Sequence, residues 1–414
     1  MSRNLRNAFQ SIRQNKLRTV LAGFGISWGI FLLVIFLGIG SGFRNGVMNI
    51  FRGYAQKSLF VYGGQTSVAT QKLNEHTQIY FQESVIRDMK NRYGAILACS
   101  PEMSIPSVPV SSDGEASTAS IKGVSADYFR IKVLEIDEGR PLNPLDDRWG
   151  RHKAVIGKGV EQALFGKASG MKKKIAIGEA LFEVVGILSS EDLFSLQDRN
   201  SVYLPFSAFQ EQFRSGETAL SAFCLSLTPD AETSEIEKDV KGYLAHRYGF
   251  DPHDENALYV ANIESQTSAF EGLFRGLEVL IWIVGICLLL SGIVGVCNVM
   301  LIIVKERTNE IGIRKAVGAT QASIISMMMT ESVLITAGAG IIGVVSGLGV
   351  ILLADKFLLP LLDTAILDGF DIDGMAVLAS LLVLCLSGVL AGLFPALKAS
   401  QIEPVDAIRY ENRD

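Results

Sequence analysis

Histidine, cysteine and serine are the side chains most able to do chemistry at neutral pH, and none stands here in a catalytic spacing. The four histidines, His76, His152, His246 and His253, form no H-E-x-x-H pair. No G-x-S-x-G elbow marks a serine as nucleophile. The glycine-bearing run GKGVEQALFGKAS, Gly157 to Ser169, superficially resembles a phosphate loop but lacks G-x-x-x-x-G-K-[ST]. The five cysteines have no metal spacing. Cys287, Cys297 and Cys385 sit in apolar runs as small hydrophobes. Cys99 and Cys224 lie in the polar middle, where a disulfide is one option if that region is outside the cell. The chain is therefore expected to be non-catalytic, with no metal and no cofactor of its own.

What remains is charge with a pattern. The stretch VKERTNEIGIRKAVGAT, Val304 to Thr320, follows directly on an apolar run. Glu310 precedes Arg314 by one helical turn, the favourable order for an ion pair. Ile311, Ile313, Ala316 and Val317 are expected to give the same helix an apolar side. Such a helix either lies at the lipid interface or sits in a partner's groove and passes force to the attached span.

The elements around it are membrane spans. Four uncharged stretches exceed the roughly 20 residues a bilayer requires: 19–43, 279–304, 332–354 and 374–397. The first lacks a small-x-small cleavage site and reads as a retained span. No span carries an ionisable group in its interior, which disfavours an ion-coupled carrier. Basic residues set the orientation. Arg3, Arg6, Arg13, Lys16 and Arg18 precede the first span, and Lys305, Arg307, Arg314 and Lys315 follow the second. The connection at 355–373 instead carries Asp355, Asp363, Asp368, Asp371 and Asp373 against Lys356. Both termini and the 305–331 loop are thus expected in the cytoplasm, and 44–276 outside. Residues 1–18 read as an amphipathic helix on the inner leaflet, with Leu5, Phe9 and Ile12 on one face, and 398–414 as a cytoplasmic tail. Glycines four apart (Gly25 and Gly29, Gly38 and Gly42, Gly343 and Gly347, Gly388 and Gly392) suit a tight bundle or a dimer seam. The formal net charge of −5 and the lack of a basic stripe argue against nucleic acid.

Between the first two spans the pattern is α+β. Lys57–Ser67, Ala180–Leu188, Asn200–Phe206 and Ser221–Pro229 read as strands; Gln82–Gly94 and Glu232–Arg247 read as helices. His152–Gly166 reads as a strand followed by a short helix. A β-rich lobe over about 95–205 is expected, inserted in a second α/β lobe. Ser265–Trp282 extends the second span as a stalk helix.

ERTNEIGIRKAVGAT closely resembles the cytoplasmic-loop signature of MacB/FtsX-type ABC transporter permeases. PALKASQIEPVDAIRYE (Pro395–Glu411) and NKLRTVLAGFGISWG (Asn15–Gly29) resemble the ends of the same family. IKGVSADYFRI (Ile121–Ile131), EGRPLN (Glu138–Asn143) and KAVIGKGVEQALFG resemble its periplasmic core domain. The departure at KASGMKKKIAIG (Lys167–Gly178) falls where many relatives have a Pro-Gly turn. The resemblance implies an inner-membrane permease with four transmembrane helices and a large two-lobed periplasmic domain. It implies a second permease copy, as homodimer or paralogue heterodimer, and a cytoplasmic ATPase that binds ATP and Mg. With Met1 so close to the first span, that ATPase is expected in trans. A periplasmic adaptor and an outer-membrane channel are further implied partners. By carry-over, Glu306, Arg307, Glu310, Ile311, Gly312, Arg314, Ala316, Gly318 and Ala319 form the ATPase-coupling region. The implied functions are export of antimicrobials or peptides, lipoprotein extraction, or signalling to a cell-wall hydrolase. The outer domain is large for the last of these.

Overall fold

The computed structural model describes residues 16–189, 196–213, 219–358 and 374–402. The amphipathic start, most of the 355–373 connection and the tail beyond Ile402 lie outside the described residues. The chain divides into two compact units, Met48–Glu271 and the remainder.

The remainder holds the long apolar helices. They are α1 (Lys16–Arg52), and, after the intervening unit, α9 (Ile263–Glu306), α11 (Gln321–Leu353) and α12 (Gly374–Ser400). The short α10 (Thr308–Ala316) lies between α9 and α11. All four long helices contain windows apolar and long enough to cross a membrane. At 44 residues, α9 far exceeds the bilayer requirement, in keeping with the expected extension of the second span. Charge enters where the sequence reading had none. Helix α11 begins at Gln321, so Glu331, left in the loop by hydropathy, lies within the helix and is only 2% exposed.

The recurrent glycines bring these helices together within the chain. A methyl on Gly25 would meet the Gly292 Cα at 3.2 Å, and one on Gly292 the Ile26 backbone nitrogen at 2.8 Å. Gly343 faces the Ser27 carbonyl, while Gly388 and Gly392 face Thr336 and Ser332. Close helix approach of this kind needs the missing Cβ. Gly292→Leu is expected to lower stability by about 1–3 kcal/mol through overpacking. A thermal melt of the detergent-solubilised chain, read by fluorescence size exclusion, checks this; an unchanged melting point contradicts the packing.

Residues 48–271 form the α+β unit. In chain order its elements are β1 (Ser58–Gly63), β2 (Phe81–Gln82), α2 (Ser84–Arg92), β3 (Ile96–Ser112), β4 (Glu115–Val124) and α3 (Tyr128–Ile131). There follow β5 (Ile136–Gly139), α4 (Pro144–Arg148), β6 (Lys153–Ile156), α5 (Lys158–Phe165), β7 (Lys174–Ile177), β8 (Ala180–Leu188) and α6 (Leu196–Arg199). Then come β9 (Ser201–Pro205), α7 (Phe206–Gln212), β10 (Ala219–Leu220), β11 (Ala222–Leu227), α8 (Thr233–Tyr248) and β12 (Leu258–Asn262). One sheet runs β12-β1-β11-β3-β4-β9-β6-β8-β5, with β7 between β3 and β8.

The long β3 joins two regions of this sheet. Its first half, Ile96 to Glu102, pairs with β11; its second half pairs with β4. Around the first half lies a core of Val85, Met89, Phe223, Val240 and Leu244, closed by α2 and α8. Around the second lies a core of Ile121, Ile156, Phe182, Val202 and Phe209, closed by α5 and α7. A third cluster, with Phe60, Tyr128, Tyr203 and Cys224, holds β1, β9 and β11 together.

The register excludes the Cys99–Cys224 disulfide. Cys99 stands opposite Leu225 and Cys224 opposite Ser100, one residue out of step. Successive strand residues point to opposite faces, so the two thiols sit in different cores and both are free. Burial pushes the Cys99 thiol up to about 12, so it is unreactive.

Candidate functional site

The coupling stretch folds as nine helical residues, α10, fixed at both ends. Its C-terminus is a Schellman motif. Gly318 adopts φ +102°, a conformation that favours glycine. The Ala319 N–H then donates to the Arg314 carbonyl (2.9 Å) and the Gly318 N–H to that of Lys315 (3.0 Å). Two residues on, the Thr320 hydroxyl accepts from the Ser323 N–H and caps α11. Gly318 and Thr320 thus shape the turn between the helices.

An ion-pair chain runs along α10. Arg307 Nε lies 2.8 Å from one Glu310 carboxylate oxygen, and an Arg314 guanidinium nitrogen lies 2.6 Å from the other. The hydrogen bond from Arg307, with the charges of Arg307 and Arg314, holds the Glu310 carboxyl below the usual carboxylate range. Arg307 also reaches Glu331 of α11, at 3.2 Å. Arg314 contacts the Met327 sulfur. Lys315 Nζ donates to the carbonyls of Ser400 and Ile402, each at 2.7 Å, at the end of α12.

The apolar residues of α10 do not share one side. Ile311 and Gly312 are buried, and Ile311 joins the core with Met300, Met328 and Ala399. Ile313 and Val317 are 53% and 84% exposed. Residues 311 and 313 are about 200° apart on a helix, whereas 313 and 317 are neighbours. The expected single apolar side is therefore two: one packed inward, one open. Two side chains that tie this stretch to its neighbouring helices escaped the sequence reading. Glu331 lay beyond the matched motif, and Lys315 read as one more basic residue. Only charge in or beside an apolar run could have flagged Glu331.

In the other unit the family-like motifs are structural. Gly157 and Gly159, of the phosphate-loop lookalike, lie against the backbone of residues 198 and 199, and a methyl on Gly157 would meet the Asp198 carbonyl at 2.2 Å. These glycines serve close packing of the chain against residues 198 and 199. In EGRPLN, Gly139 takes φ +86°, Asn143 caps α4 in a capping box, and Arg140 grips the buried Asp146 with both terminal nitrogens at 2.7 and 3.3 Å. In IKGVSADYFRI, Lys122 joins Lys132 around the buried Asp198, at 3.0 and 2.7 Å. A pocket of about 550 Å³ is lined by Ile86, Lys90, Cys99, Asp127, Asp147 and Phe206, among others. Its Lys90 and Asp127 pair with each other, and Asp147 accepts from the Ser207 N–H. Among the described residues no His, Cys, Asp and Glu cluster could hold a metal.

Two family models match the chain. Residues 19–243 match the MacB-like periplasmic core domain, and residues 282–404 the FtsX-like permease C-terminal domain. The chain belongs to the MacB/FtsX-like family of ABC transporter permeases. It is thus the permease part of such a system, a multi-pass membrane protein with a large domain outside the membrane. An uncharacterized ABC transporter permease of Bacillus subtilis, YknZ, is 27% identical, with 99% of both chains covered. The macrolide export ATP-binding/permease protein MacB of Escherichia coli is 26% identical over 99% of this chain, which spans 60% of that protein's length. Among solved structures, the periplasmic region of MacB from Actinobacillus actinomycetemcomitans covers 53% of this chain and 95% of its own, at 17% identity and TM-score 0.43.

Proposed function

We propose that this permease converts ATP hydrolysis by a separate cytoplasmic ATPase into movement of its extracytoplasmic domain, and so exports antimicrobials, peptides or similar cargo. Two copies of the permease and two ATPase subunits form the working unit, with both termini in the cytoplasm. The observation that carries this reading is α10. It is a short helix stiffened by internal ion pairs, packed by Ile311 into the membrane unit's core, and open to a partner through Ile313 and Val317. An exposed apolar pair beside charged side chains is the kind of face a groove on another protein binds. The helices α1 and α9 are the covalent route by which its motion leaves the membrane. A periplasmic adaptor and an outer-membrane channel complete the path in a Gram-negative envelope.

Lipoprotein extraction on the same scaffold is the second reading, since such permeases carry outer domains of similar size. Affinity isolation from native membranes separates the two. An adaptor and channel in the eluate support export, and a lipoprotein carrier supports extraction. The chain purified alone is expected to show no ATPase activity. In the same isolation, Ile313→Asp with Val317→Asp is expected to lower ATPase recovery about tenfold or more, since hot-spot losses are about 2 kcal/mol or greater. Full recovery removes α10 as the docking element.

A further inference from the structure

We infer that Glu331 and Lys315 are positioning residues that bolt α10 to two different membrane helices, so that a push on α10 moves α11 and α12 together. This rests on the coupling role proposed above and specifies how it is delivered. Near one end of α10, Arg307 reaches the buried Glu331, in the second half-dozen residues or so of α11. At the other end, Lys315 donates to the carbonyl of Ser400, the last residue of α12, and to that of Ile402 just beyond it. Helix C-termini leave carbonyls without intrahelical partners, and a cation there is doubly favourable. Between the two, Ile311 sits in a core that also contains Ile324 and Met328 of α11 and Ala396 and Ala399 of α12. A helix held at one point swivels on it; one held at two ends against different helices cannot turn independently of either. Replacing Glu331 removes the ion pair that ties Arg307 to α11, while the Arg307–Glu310 pair near the start of α10 stays.

Spin-label distances in the complete permease–ATPase complex, reconstituted in lipid nanodiscs, test this. The five native cysteines are first replaced by alanine. Labels at Thr308→Cys, off the Ile313 and Val317 face of α10, and at the exposed Leu397→Cys report α10 against α12. The bolted helix predicts one narrow distance, unchanged between the nucleotide-free and the MgATP–vanadate states. A broad distance, or one that shifts with nucleotide, overturns the inference without any further substitution. A second pair, Leu181→Cys and Leu397→Cys, reports the nucleotide-driven response of the outer domain. Lys315→Met and Glu331→Gln are expected to reduce that response about tenfold, and Lys315→Met to broaden the Thr308–Leu397 distance. Lys315→Arg is expected to restore both. An undiminished response in both variants also overturns the inference, leaving the coupling role intact. No response in the unsubstituted chain defeats the coupling role, and this inference with it.

Discussion

Glu310→Ala combined with Arg314→Ala leaves the chain in the membrane and bound to its ATPase, yet hydrolysis no longer moves the outer domain: this is the expected result for the double variant. Glu310 shares its carboxylate between Arg307 and Arg314, one turn either side, and so holds α10 as a rod. Both pairs are partly open to solvent. Each therefore contributes only about 0.2–1 kcal/mol to folding, too little to unfold the permease. Their loss instead removes the guanidinium that contacts Met327 and takes from Arg307 the carboxylate that shares it with Glu331. The nucleotide-dependent change in protease susceptibility of the outer domain is expected to fall about tenfold or more. A response equal to that of the unsubstituted chain removes Glu310 and Arg314 from the coupling machinery.

Asp198→Ala is the substitution expected to cost the outer domain most. Asp198 is 4% exposed and answers two buried ammonium groups, Lys122 and Lys132, and the Tyr203 hydroxyl. Burial alone would raise its carboxyl, but Lys132 and then Lys122 outweigh that and hold it at about 2. Removing the carboxylate strands both cations, at a cost of about 3–5 kcal/mol. Chemical denaturation of the full chain in detergent, followed by tryptophan fluorescence, measures it. Replacing Lys122 and Lys132 by Met in the same chain is expected to recover most of the loss, because uncharged groups of similar shape need no partner. The pH dependence has a definite sign. The folded carboxyl titrates below its ordinary value of 3.8, so its stabilisation is complete above about pH 4 and lost as pH falls through about 2. That stabilisation is about 2 kcal/mol, because holding a proton off over each further pH step is worth about 1.4 kcal/mol. A loss under 1 kcal/mol in Asp198→Ala would mean that the ammonium groups reach water.

Local features were legible in the sequence because their partners are neighbours in the chain. The runs Ala180–Leu188 and Asn200–Phe206, read as strands, hold β8 and β9, and the helical spacing of Val85 and Met89 located α2. The Glu310–Arg314 pair follows from one turn of helix. Features that depend on distant partners were not legible. Lys315 meets carbonyls 85 and 87 residues away, and Glu331 meets Arg307 across a turn whose path Gly318 sets. Which of Ile311 and Ile313 faces the core depends on where the bundle lies, not on α10 itself. Cys99 and Cys224 needed the strand register, since one residue of slip decides whether two thiols share a face. The glycine pairs admitted a bundle or a dimer seam until their neighbours Gly292, Ser27 and Thr336 were known.

The sidedness of α10 bears most directly on the central claim that force enters this permease from the cytoplasm. Val317→Cys, in a chain whose other cysteines are replaced, offers a thiol at an exposed position. Intact cells treated with a membrane-impermeant maleimide should leave it unlabelled. Inverted membrane vesicles should label it readily, and added ATPase should protect it. Labelling from outside intact cells would place α10 on the far side of the membrane from any ATPase, and the coupling account would fail.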